Sequence, residues 1–180
     1  MGCGVEGGVA PNLAAAGYEP LAIDPHAPEG PWYRQITLGD LDDPGPFVAA
    51  VCGRVLHHLE PLGPALDRLA GLAPLVVVDE FAWDRIDDRA VAWYGAQFAA
   101  TADPRAPDDL GAWLERNSHH LHAGETVVAA LDERYERRLL ETRPYLCRWL
   151  RSGHAEEERL IAAGDLPAIG WRYVGVARPT

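Results

Sequence analysis

Gly2-Cys3-Gly4-Val5-Glu6-Gly7-Gly8 opens the chain, and Leu21-Ala22-Ile23-Asp24-Pro25 follows after one short helical stretch. A glycine-rich turn leads into a helix over residues 9–16, with Pro11 in its first turn and Gly17 as its stop. A short apolar run then ends in a carboxylate. Glycines let backbone N–H groups approach a ligand, and a helix N-terminus carries partial positive charge. A carboxylate about twenty residues further on is placed to grip two ribose hydroxyls. In this order the parts make the opening of a nucleotide-binding βαβ unit. The strand that should feed the glycine turn is absent, because the sequence starts at Met1 beside it.

Working outward, residues 34–38 make a further strand position closed by Gly39-Asp40, and residues 47–52 are the next apolar run. Arg54-Val55-Leu56-His57-His58-Leu59 follows. Residues 64–72 are amphipathic, with Leu66, Leu69 and Ala70 on one face, and residues 75–79 are a continuous apolar strand. Strands alternating with helical or loop segments argue a parallel sheet with crossovers on its faces. After Phe81 the texture turns helical over 89–100, 110–117 and 125–133. Residues 135–142 fit helix or strand, 144–163 are mostly helical, and 171–177 form a closing strand. There is no internal repeat, and the expectation is one domain over 1–180.

The bulk composition narrows the function. With 180 residues and 48% hydrophobic content the chain is globular rather than disordered. A formal charge of −11 disfavours nucleic acid and anionic membrane surfaces as partners. All 16 basic residues are arginine, so a lysine Schiff base or a P-loop is excluded. Cys3, Cys52 and Cys147 lack metal-ligand spacing and read as reduced thiols. The glycine-rich start has no basic flank and the apolar runs are strand-sized, so the expected setting is cytoplasmic.

The ordered set Gly2–Gly8, Leu21–Pro25, the acidic turn at Asp40, the 47–59 segment with its Val-Leu-His-His-Leu, and Leu75–Phe81 resembles the class I S-adenosylmethionine-dependent methyltransferases that act on small molecules. The resemblance implies an α/β, Rossmann-like, largely parallel sheet with flanking helices. It also implies an antiparallel final strand over 171–177, with 135–142 as its partner, and a helical insertion over 85–133 covering the active site. It implies that Gly2, Cys3, Gly4 and Gly7 approach the cofactor's amino-acid end. Asp24 with Pro25 would hold the ribose, Asp40 with Leu41 would lie beside the adenine, and Arg54 through His58 would wall the cleft. The implied activity is methyl transfer from S-adenosylmethionine to an O or N nucleophile of a small-molecule acceptor, with no metal. Two other readings stay open: a truncated or non-catalytic relative that does not hold the cofactor, and an NAD-dependent oxidoreductase. The second lacks a Tyr-x-x-x-Lys pair.

The sequence departs from the family pattern at the missing first strand, at a glycine turn one residue longer, at Val48 where Asp is usual, and at Ala73-Pro74 in place of a glycine pair. The first strand lies at the sheet's centre. Each buried backbone group left unpaired costs about 1–3 kcal/mol, against about 5–15 kcal/mol for a whole domain. The expectation is therefore a fragment whose upstream sequence supplies an apolar run ending in Asp or Glu. Closure of the gap by neighbouring strands, or a strand donated by another chain, are the alternatives.

Among single residues, His58 is a candidate general base for the acceptor's proton, and a cleft-lining role is its plainer alternative. His119, His120 and His122 have neither helical i, i+4 spacing nor a carboxylate at a fixed offset, and read as a polar helix end. Glu80, Trp83, Trp93 and Tyr94 follow the strand at 75–79, where substrate walls are built, and aromatics at this spacing read as core ahead of pocket. Arg134, Arg137 and Arg138 read as a solvated face or as partners of nearby acids.

Overall fold

The structure, a computed structural model, describes residues 1–42, 45–98, 109–150 and 153–179. In chain order the elements are α1 (Ala10–Ala15), β1 (Ala22–Ile23), β2 (Tyr33–Arg34), β3 (Ala50–Gly53), α2 (Leu62–Leu72), β4 (Leu75–Phe81), α3 (Asp88–Phe98), α4 (Leu110–Ser118), α5 (Gly124–Arg134), β5 (Tyr135–Arg143), α6 (Cys147–Leu150), α7 (His154–Ala163) and β6 (Gly170–Ala177). Single 3-10 turns lie at Leu56–His58 and Trp83–Arg85.

β4 anchors the core. Val76, Val78 and Glu80 are fully buried while Leu75, Val77 and Asp79 are half-buried, the period-2 signature of a strand. β3 pairs with it in parallel and β6 antiparallel, and β5 pairs antiparallel with β6 to give the order β3-β4-β6-β5. The expected antiparallel end of the sheet is therefore present. β5 also settles the helix-or-strand ambiguity of 135–142. It is an edge strand carrying charge and a register shift between Arg137 and Leu139, features that blunt an open edge. Its arginines pair locally, Arg137 with Asp132 and Arg138 with Glu136, while Arg134 at the end of α5 pairs with Asp67 and Glu133.

β1 and β2 form a separate parallel pair, and what joins it to the four-stranded sheet is the start of the chain. Gly2 N–H donates to Ile23 O (3.1 Å), Gly53 N–H donates to Met1 O (3.1 Å), and the Met1 amino terminus donates to Val51 O (2.5 Å). Met1 and Gly2 thus lie between β1 and β3, in the position expected for the first strand. Gly2 has φ +73, and a Cβ there would fall 2.5 Å from Gly53 O, so only glycine fits the seam. Neighbouring strands do not close the gap by pairing directly among the described residues.

Side-chain packing reinforces the seam. Ile23, Leu38 and Leu41 share one core with Cys52, Leu56, Leu66, Leu69, Val76, Val78 and Tyr173. From α2, Arg68 Nε donates to Leu38 O (2.8 Å) and its Nη2 donates to Leu41 O. Val48, in the place of the usual Asp, is 76% exposed and packs into nothing.

A second core sits beyond the C-terminal end of β4, built from Phe81, Trp83, Tyr94, Trp113, Tyr145, Leu146 and Ile169. It holds α3, α4 and the α6–α7 segment over that end of the sheet. The expected helical insertion over 85–133 is thereby shortened. α5 places Val127 and Leu131 in the sheet core beside α2, as a crossover helix does. The expected strand at 34–38 pairs only through Tyr33 and Arg34, because Thr37 and Asp40 close a turn on each other (Thr37 Oγ1 to Asp40 Oδ2, 2.6 Å).

An engineered apolar extension of about six β-prone residues ahead of Met1 should pair along β1 and β3. At about 1 kcal/mol net per added hydrogen bond, stability should rise by several kcal/mol, checked by equilibrium urea unfolding. An unchanged midpoint would mean that the slot takes no strand.

Candidate active site

The seam opens into a cavity of about 780 Å³. Met1 through Gly4, Ile23 through His26 and Ile36 through Leu38 line one side of it. Gly53 through Val55, His57 through Leu59, Phe81, Asn117, Leu121, Tyr145 and Trp149 line the rest. Of the residues expected from sequence, Gly2, Cys3, Gly4, Asp24, Pro25, Arg54 and His58 come together here. Gly7, Asp40 and Leu41 are not among the lining residues. A Cβ at Gly7 would lie 2.5 Å from the Tyr33 hydroxyl, so that glycine makes room inside the protein and not for a ligand. Asp40 is exposed in its turn with Thr37, and Leu41 is buried in the sheet core. Thr37 and Leu38 stand at the cavity in their place.

The glycine turn and the acid touch. Gly4 N–H donates to Asp24 Oδ2 (3.0 Å) and His26 N–H to Asp24 Oδ1 (2.8 Å), and the Asp24 side chain is 15% exposed. Each carboxylate oxygen has a second lone pair, so Asp24 still has acceptor capacity for hydroxyls in the cavity. Gly4 has φ +55, and a Cβ there would meet nothing within 4 Å, so the turn presents bare backbone to open space. Cys3, though at the cavity, is held protonated: burial raises its pKa, and the Asp24 charge adds to the effect. A thiol so placed is a poor nucleophile.

The opposite wall rests on two buried carboxylates. Alternation along β4 carries Glu80 to the buried face, and its side chain turns back onto the segment after β3. Glu80 Oε1 accepts from Val55 N–H (2.5 Å) and Leu56 N–H (2.6 Å), and Oε2 lies 2.5 Å from His57 Nδ1. With a carboxylate as partner, Nδ1 of His57 is the protonated ring nitrogen. From α7, Glu157 accepts from the N–H groups of Tyr145 (2.8 Å), Leu146 (3.0 Å) and Cys147 (2.7 Å). The first acid fixes the segment bearing His57 and His58; the second fixes the segment bearing Tyr145 and Trp149. In sequence Glu80 stands out only as a residue at a strand end, and Glu157 does not stand out at all. The signal for Glu80 was its period-2 register with Val76 and Val78, which puts an acid on the core face. Tyr145 and Trp149, at i and i+4, carried the mark of one helical face.

His58 is exposed at the cavity rim with its ring 4.1 Å from that of His57. Its pKa lies below the ordinary 6.5, first through loss of water around it and then through His57, with Glu80 opposing. It is therefore neutral at pH 7, the form that accepts a proton. Of the other histidines, His122 is engaged: its N–H donates to His57 O (2.9 Å) and its Nε2 lies 2.8 Å from Leu59 O, tying the segment before α5 to the same wall. His119 and His120 are exposed. Among the described residues no group of three or more His, Cys, Asp or Glu is placed to hold a metal ion, and no helix is long and apolar enough to cross a membrane.

No family model and no curated protein matches the chain. Solved structures do. A protein from Anabaena variabilis, provisionally assigned as a methyltransferase from an antibiotic biosynthesis pathway, aligns over 98% of this chain and 88% of its own, at 14% identity and a TM-score of 0.59. A protein from Bacillus halodurans, provisionally assigned as a methyltransferase, aligns over 96% of this chain and 87% of its own, at 12% identity and a TM-score of 0.52. The N-methyltransferase NodS from Bradyrhizobium japonicum, solved in complex with S-adenosyl-L-homocysteine, aligns over 86% of this chain at 14% identity and a TM-score of 0.46. The chain spans 56% of that protein's length. At these identities the likeness is one of fold, and the fold is that of the class I methyltransferases.

Two outcomes follow from the site. Glu80→Leu strips partners from two backbone N–H groups and the His57 ring, and should cost about 3–5 kcal/mol. Glu80→Gln keeps an acceptor and should cost less, both read by urea unfolding. In an NMR titration the His58 ring should have its midpoint below 6.5. Just below that pH the unfolded chain binds more protons there than the native one, so the His58 contribution to stability is complete above 6.5 and is lost as pH falls through the folded midpoint. A midpoint above 6.5 would refute the assignment.

Proposed function

We propose that this protein is an S-adenosylmethionine-dependent methyltransferase acting on an O or N nucleophile of a small molecule. The observation that carries the reading is that the Gly2–Gly4 turn and Asp24 bond to each other at the edge of one cavity, with His58 on its other wall. The residues fit the cofactor. Bare backbone at Gly4 opens onto space, Asp24 keeps acceptor lone pairs for ribose hydroxyls, and the apolar side chains of Ile36 and Leu38 line the same side as a resting place for a flat base. When bound, S-adenosylmethionine supplies an electrophilic methyl group on a sulfonium.

The protein's own contribution is mainly positional. The wall fixed by Glu80 holds the acceptor's nucleophilic atom toward the glycine side, and the second core over the end of β4 limits water at that point. A ring nitrogen of neutral His58 takes the acceptor's proton. Cys3 stays a thiol and takes no part.

Isothermal titration with S-adenosylmethionine and S-adenosylhomocysteine tests this directly. Both should bind, and NADH should not. Asp24→Ala, losing hydrogen bonds to a charged group worth about 1.5–3 kcal/mol, should weaken both about ten- to hundredfold. No heat at high micromolar ligand would favour the non-catalytic alternative, and heat with NADH alone would favour the oxidoreductase.

A further inference from the structure

The cavity is asymmetric in chemistry. Away from the glycine turn its wall is a row of rings in mutual contact. His58 lies 4.1 Å from His57, His57 4.8 Å edge-on to Phe81, Phe81 4.8 Å stacked on Tyr145, and Tyr145 5.0 Å edge-on to Trp149. The row is rigid because both segments that carry it hang from buried carboxylates, Glu80 and Glu157. Phe81 and Tyr145 are buried and Trp149 half-buried, so the apolar end of the row meets the cavity chiefly through Trp149. A fixed line of aromatic surface ending in imidazoles suits a flat ligand with one polar edge.

Charge decides the polar edge. Among the described lining residues the only carboxylate is Asp24, on the glycine side. Burial pushes the Tyr145 phenol upward, Glu80 and Asp79 add to this, and Arg54 and Arg148 oppose it, so charges of both signs act on the ring row, while Arg54 is the arginine among the described lining residues. A permanent cation would meet Arg54 among the lining residues, with Asp24 across the cavity as the lining carboxylate. A hydroxyl finds neutral His58 for its proton and Arg54 for the developing negative oxygen.

Resting on the methyltransferase reading, we propose that the acceptor is a planar aromatic hydroxyl compound, its ring packed against the Phe81–Tyr145–Trp149 end and its hydroxyl directed to His58. The row selects flatness, and the imidazole end selects oxygen over a basic nitrogen.

The test uses naphthol, its fully saturated counterpart and naphthylmethylamine, an ammonium at neutral pH, each titrated calorimetrically into the chain with and without S-adenosylhomocysteine. Naphthol should bind at least about tenfold more tightly than the saturated alcohol, since ring pairs add about 0.5–1.5 kcal/mol each beyond burial. It should also bind more tightly than naphthylmethylamine. Trp149→Leu should remove the preference for the flat ring, and Leu121→Trp, which fills the cavity without deleting a ring, should remove binding of all three. If the first does not fold, the second places the binding in this cavity, and the wild-type comparison of the three probes decides the selectivity. Equal binding of the flat and saturated alcohols, or a preference for the amine, overturns the proposal. Heat with S-adenosylhomocysteine but no ring selectivity sinks the acceptor class and leaves the methyltransferase reading. Ring selectivity without any S-adenosylhomocysteine heat does the reverse.

Discussion

Three backbone hydrogen bonds, all made by Met1 and Gly2, hold the two parts of the sheet side by side. The candidate site opens along that seam. Asp24 follows β1 on one side, Arg54 through His58 follow β3 on the other, and the glycine turn that starts at Gly2 closes the bottom of the cavity between them. The distance between the acid and the histidines is set by a width of one strand, which two residues keep open. Gly2 is irreplaceable there for a steric reason, since any side chain would strike Gly53 O. Below this short ladder, Leu38, Leu41 and the Arg68 guanidinium take over the task of joining the two parts.

The cavity's far wall is organised by buried charge. A carboxylate taken out of water is stable only when its lone pairs are used, and Glu80 and Glu157 each find three partners on a single short segment. What results is a pair of turns whose backbone has little freedom. The side chains of these turns that line the cavity are held by carboxylates that do not line it.

The order of elements was legible in the sequence because it follows from strong local signals: glycines before a helix, an apolar run before Asp24, and alternation along 75–81. The pairing of the glycine turn with Asp24 came from the same phrase. What was not legible depended on long-range placement. The residues after Arg34 break from their strand because Thr37 finds Asp40, a local bond that outcompetes pairing. α5 lies under the sheet rather than over the cavity because Val127 and Leu131 match the face of α2. Tyr145 and Trp149 reach the cavity from a segment about ninety residues beyond the histidines, a closeness that no spacing along the chain encodes.

The seam also has a dynamic consequence. Among the described residues, 1–42 meet the rest of the sheet through few backbone hydrogen bonds, so this portion forms a natural unit of sub-global opening. Its amide protons would trade with solvent well before those of β4 and β6, whose ladder is continuous. A molecule lodged in the cavity touches both banks at once and so acts as a clasp: occupancy and local order become linked quantities, each drawing free energy from the other.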